Sequence, residues 1–171
     1  MQRRRIDQVL DPEFVSDLEE LDLDELRARR RLARDVENEL SYYRRLLHGR
    51  LDLLAFEQRR RSGEETRTMI EALAEILADP PADRMGQVRH VDTDLPPLPD
   101  VGKREIDAVL GNDALLHLDD VDGPGLAAAM ESIEEMAEEI SERRRQVQSV
   151  EDALSEVVAR RYRESAEDVT S

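Results

Sequence analysis

The feature that most constrains this chain is a seven-residue spacing of apolar side chains that occurs twice. Leu26, Ala33, Leu40, Leu47 and Leu54 form the first series, with Val36 and Tyr43 on a second seam. From Leu23 to about Arg61 there is no proline, and Gly49 is the only glycine. Leu126, Ile133, Ile140, Val147 and Leu154 form the second series, with Met136, Val150 and Val157 on its other seam. Heptads sustained over this length specify helices that bury an apolar stripe against another helix. The punctuation agrees. Asp22 and Glu25 supply a cap and a capping-box acid before the first series. The run Asp122-Gly-Pro-Gly125 opens the second, with Pro124 in its first turn. The expected fold class is all-α, an elongated antiparallel coiled-coil hairpin of two long helices plus short accessory helices.

The domain organisation follows from the intervening stretches. Residues 1–21 carry Ile6, Val9, Leu10, Phe14, Leu18 and Leu21 at helical spacing, broken by Pro12, and are expected to form an amphipathic partner-binding segment in one or two pieces. The first long helix spans 22–61 and the second 124–165, with a polar tail over 166–171. Between them, residues 62–123 hold short helices and a Pro-rich linker. Met69, Ile70, Leu73, Ile76 and Leu77 form one amphipathic helix stopped by Pro80 and Pro81; residues 80–100 are the linker, and 102–111 form another short helix.

Charge and composition exclude several function classes. The chain of 171 residues carries 25 basic side chains against 41 acidic ones, a net of −16, with five aromatic residues and no cysteine. Phosphate neutralisation needs a basic surface, so direct DNA binding is not expected. No apolar run approaches the ~18 residues of a membrane span, and the N-terminus lacks the apolar core of a secretion signal. Without thiols there is no disulfide framework and no thiolate zinc site. The chain reads as soluble and cytoplasmic. Its three histidines (His48, His90 and His117) have no partner at metal-ligand spacing, and its carboxylate pairs sit on solvated helix faces, so neither a metal site nor an enzyme is expected. His90 and His117 read as surface or capping residues.

The two long helices align without a gap at an offset of 100 residues, and over 39–54 against 139–154 six positions are identical: Glu39/Glu139, Ser41/Ser141, Arg44/Arg144, Arg45/Arg145, Asp52/Asp152 and Leu54/Leu154. Shared heptads explain apolar matches; here the polar matches outnumber them. At roughly 100° per residue, Glu37, Ser41, Arg44, His48 and Asp52 fall on an arc of about 80° beside the apolar seam. On the second helix Ser141, Arg144, Gln148 and Asp152 repeat the pattern, with Ala137 in the place of Glu37. A charge run on one helix is ordinarily a solvated face, and an Arg at a stripe edge ordinarily snorkels. Duplication at one register favours a ligand.

Guanine suits such a stripe. Its O6 and N7 accept from a guanidinium, and its N1–H and N2–H₂ donate to a carboxylate. Arg45, Arg50, Arg143 and Arg145 add local positive charge, which favours a small anionic ligand over a polymer. No Gly-rich phosphate loop is present, so a nucleotide would be held by side chains. Two copies suit a ligand that is itself two-fold symmetric or bound as a pair.

At these residues the chain resembles the RsiG anti-sigma factors of actinobacteria, whose pattern E-x3-S-x2-R-x3-Q-x3-D stands once on each of two antiparallel helices. The first copy here is Glu37, Ser41, Arg44, His48, Asp52; the second is Ala137, Ser141, Arg144, Gln148, Asp152. His48 departs from Gln and Ala137 from Glu. The resemblance implies that cyclic di-GMP binds as a dimer across the helices through Glu37, Ser41, Arg44, His48, Asp52, Ser141, Arg144, Gln148 and Asp152. It further implies that the loaded protein sequesters a WhiG-type sigma factor from RNA polymerase and thereby controls sporulation genes. Candidate sigma-contacting surfaces are Leu10, Phe14, Leu18 and Leu21, and the stretch 66–118. The competing expectation is a structural coiled-coil adaptor whose stripes are ordinary flanking charges.

Overall fold

A computed structural model of the chain describes residues 4–76 and 118–170. The Pro-rich stretch 80–100, the helix expected near 102–111, and His90 and His117 lie outside them. In chain order the described elements are α1 (Arg5–Val9), a 3₁₀ turn (Pro12–Phe14), α2 (Leu23–Ser62), α3 (Met69–Ile76), a second 3₁₀ turn (Leu118–Asp120) and α4 (Gly123–Thr170). Among the described residues there are no strands, and no helix is long and apolar enough to cross a membrane.

Local chemistry sets the ends of the long helices. The Asp22 carboxylate accepts from the Glu25 backbone N–H at 2.8 Å and so starts α2. The Asp122 carboxylate does the same for α4, accepting from the Gly125 N–H at 2.8 Å. A Cβ on Gly125 would come within 2.8 Å of that capping oxygen, which is why a side chain is absent there. At the far end of α2, Gly63 takes φ +82°. Its N–H reaches the Arg60 carbonyl while Glu64 N–H reaches Arg59, the paired bonds of a Schellman cap.

The molecule divides into two compact units, Met1–Arg44 with Glu138–Ser171, and Arg45–Ala137. In the first unit α2 and α4 run antiparallel, since Arg27 meets Tyr162 while Ser41 meets Arg144. Its core is Leu26, Ala33, Val36, Leu40 and Tyr43 of α2 with Ile140, Val147, Leu154, Val157 and Val158 of α4. Pro12 splits the N-terminal segment into α1 and the first 3₁₀ turn, whose Ile6, Val9 and Phe14 are also buried. Leu10, Leu18 and Leu21 are half-buried. Polar clasps hold this segment down. Arg5 donates to Glu39 at 2.5 Å, Arg29 donates to the Phe14 carbonyl at 2.8 Å, and Arg160 and Arg161 bond Glu19. The apolar side chains expected to meet a partner are thus largely turned inward.

In the second unit Leu47, Leu54 and Phe56 are buried, as are Ala72 of α3 and Leu126, Ile133 and Ala137 of α4. Near the end of α2, Glu57 is buried and accepts from Arg60 and Arg61. Arg61 also donates to the carbonyls of Leu118 and Val121, just before α4 begins.

One seam differs from the reading above. On α4 the second seam lies four residues after the first, at Met130, Ala137, Arg144, Glu151 and Val158, rather than three. Ala137, Glu151 and Val158 are buried, whereas Met136 and Val150 are only half-buried, and Val157 is buried beside Val158. Both offsets are legitimate heptad steps, and Met136, Val150 and Val157 made the three-step apolar by composition. Packing brought the polar four-step inward, because its Arg finds a carboxylate on α2.

Candidate functional site: a polar cluster between two helices

That carboxylate is Glu37. It stands one turn before Ser41 on α2, half-buried beside the seam residues Val36 and Leu40. Its Oε1 accepts from the Ser41 hydroxyl at 3.0 Å, from Arg144 Nε at 2.8 Å and from Gln148 Nε2 at 3.2 Å. Arg144 Nε also donates to Ser41 Oγ at 2.7 Å. Four residues singled out in the sequence, two from each copy of the repeat, therefore form one connected cluster inside the first unit. The helical turn explains the assembly: Glu37 and Ser41, and Arg144 and Gln148, are i, i+4 pairs on their own helices, and the antiparallel register brings the pairs together.

The cluster is partly dry. Side-chain exposure is 13% for Glu37 and 27% for Arg144. An ion pair at that depth is screened less than a surface pair, and each partner satisfies the charge of the other. Both of the described bonds of the Arg144 guanidinium are made by Nε; the two terminal nitrogens take no part in them.

The other expected site residues are distributed differently. Arg44 and Ser141 are half-buried in the same unit, and Asp152 is exposed on α4. His48 and Asp52 lie on α2 within the second unit, both exposed. Ala137 is buried at the seam, so its small side chain fills a core position there.

Two buried carboxylates were not anticipated. Glu39, one residue before Leu40, is covered in the folded first unit and paired with Arg5. Burial pushes its pKa above the ordinary carboxylate value, with Arg5 pulling the other way. Glu57 is held below the ordinary range by its hydrogen bonds to Arg60 and Arg61, against the opposing effect of burial. Glu57 had a signal. Stepping by sevens along the second seam of α2 from Val36 and Tyr43 lands on Arg50 and then Glu57. Arg50 is half-buried, and burial lowers its pKa. Glu39 had none, because only the docking of α1 covers it. Among the described residues, no group of three His, Asp or Glu side chains is placed to hold a metal ion.

Residues 12–77 match the model of the RsiG-like family. Over that stretch the chain is similar to it. The RsiG-like segment takes in the first 3₁₀ turn, all of α2 and α3, and with them the first Glu/Ser/Arg/Asp copy; the second copy on α4 lies beyond it. A comparison with curated proteins finds no match to the chain.

Proposed function

We propose that this protein is an anti-sigma factor that binds cyclic di-GMP between its two long helices and, when loaded, withholds a WhiG-type sigma factor from RNA polymerase, so that sporulation genes stay silent until the messenger falls. The observation that carries the reading is the cross-helix cluster. Ser41 and Glu37 of one copy meet Arg144 and Gln148 of the other. These are the donors and acceptors guanine asks for. The terminal nitrogens of Arg144 suit O6 and N7, while a carboxylate suits the N1–H and N2–H₂ edge. Arg44, His48, Asp52, Ser141 and Asp152 continue the two ladders in sequence and complete the proposed ligand set.

Ligand binding promotes sigma binding only if the ligand favours the sigma-competent arrangement. A nucleotide that bonds both helices at this cluster would fix their register, and the partner would read that register.

A second reading has an observation of its own. The Glu37–Arg144 pair is already satisfied within the protein, as in an adaptor whose polar seam merely specifies helix pairing. Calorimetric titration separates the two. The sensor binds cyclic di-GMP and not cyclic di-AMP, and at about 100 times the dissociation constant gains roughly 2.7 kcal/mol of stability. Arg144→Ala and Asp152→Ala abolish that gain. Equal binding of both dinucleotides, or of neither, overturns the sensor reading.

A further inference from the structure

Resting on that anti-sigma reading, we propose that α3 is a docking helix whose Ile70/Leu73 face seats in an apolar cleft of the sigma factor edged by Lys and Arg side chains. Helix α3 is eight residues long, too short to persist by itself, yet it is secured at several points. Thr68 and Glu71 form a reciprocal capping box: the Thr68 N–H donates to the Glu71 carboxylate at 2.7 Å, and the Glu71 N–H donates to the Thr68 hydroxyl at 3.3 Å. Arg67 ties Glu65 to Glu75, both at 2.7 Å, and Ala72 is buried. A helix fixed in this way nevertheless leaves Ile70 86% exposed and Leu73 39% exposed. Elsewhere among the described residues only Tyr162 is a large apolar or aromatic side chain this exposed.

The surrounding charge selects the occupant. From Glu64 to Glu75 four carboxylates (Glu64, Glu65, Glu71 and Glu75) stand against the single guanidinium of Arg67, a local balance of −3. Two copies meeting through this face would bring like charges together, which opposes a homodimer. A cationic partner gains from the same arrangement, with i, i+3 apolar anchors entering a groove. Surfaces that a sigma factor turns toward DNA are of that sign. The family match runs to residue 77, so α3 belongs to the RsiG-like segment and is not a connector outside it.

The test is binding of the cyclic di-GMP-loaded full chain to a WhiG-type sigma factor, comparing wild type with Ile70→Ala/Leu73→Ala. Alanine favours helix, so the variant retains α3, and circular dichroism and calorimetry check its helicity and nucleotide binding. The expected result is unchanged melting, unchanged cyclic di-GMP affinity and sigma binding at least tenfold weaker. Sigma binding by the variant equal to wild type overturns the proposal. So does a drop of several degrees in melting temperature, which would mean that this chain covers the face itself, or a wild-type dimer that the variant converts to monomer. Failure of the loaded wild type to bind the sigma factor at all sinks the anti-sigma reading and takes this proposal with it. That outcome is told apart because it appears without any substitution.

Discussion

Glu37 shows how much one carboxylate can organise. A single oxygen receives three donors, two of them from the opposite helix. Removing it leaves a half-buried guanidinium with the Ser41 hydroxyl in place of a carboxylate, and an inadequately compensated buried charge costs about 1–3 kcal/mol. Glu37→Ala should destabilise by that amount in urea unfolding, and a double-mutant cycle with Arg144→Ala should return a coupling of about 0.5–3 kcal/mol. Coupling near zero would mean that the cluster has no part in holding the helices. The buried acids Glu39 and Glu57 should behave oppositely in acid. The raised pKa of Glu39 means that the folded state holds its proton more tightly, so its contribution improves as pH falls through the folded value toward the ordinary one near 4.5. The lowered pKa of Glu57 gives stability that is present above 4.5 and lost as pH falls toward its folded value. Unfolding of Glu39→Gln and Glu57→Gln between neutral and strongly acidic pH should therefore deviate from wild type with slopes of opposite sign.

At the level of elements, the long helices were legible because their signals are redundant. The heptads mark the extents of the long helices and the aspartate caps mark their starts, within a residue of where α2 and α4 begin, and Gly63 closes α2. Gly63 should be the least replaceable of these. Its left-handed φ costs an L-residue roughly 1–2 kcal/mol, so Gly63→Ala should lower stability by about that much without shortening α2, as thermal melting and circular dichroism would show. What stayed hidden depends on contacts between elements. The apolar residues of segment 1–21 could serve a partner or the chain's own core, and spacing is the same for both. Only the clasps from Arg5, Arg29, Arg160 and Arg161 decide that Ile6, Val9 and Phe14 are core. The α4 seam was misplaced for a related reason. Apolarity favoured Val150, but the position that turns inward carries Glu151, and charged residues reach a seam only when a facing helix compensates them. The candidate site was legible to the extent that repetition exposed it; that Glu37 is its hub follows from the register, which spacing on one helix does not give.

Over the whole molecule the net charge of −16 opposes compaction. The described ion pairs include several well-exposed ones, such as Arg145–Glu142 and Arg67–Glu75, and pairs of that kind contribute little. Screening should therefore relieve more repulsion than it removes attraction. Raising salt from about 0.01 M to about 0.15 M, which shortens the Debye length from roughly 30 to 8 Å, should raise the melting temperature. A fall instead would place more stability in exposed pairs than their geometry suggests. The Arg61 clasp has a reach beyond its own energy. One side chain at the end of α2 grips the backbone immediately ahead of α4, so the two ends of a long excursion are tethered at its base. Lengthening a chain so tethered costs only about 0.6 kcal/mol per doubling. Evolution is thereby free to lengthen, shorten or rewrite the intervening sequence while the end of α2 stays held to the backbone just ahead of α4.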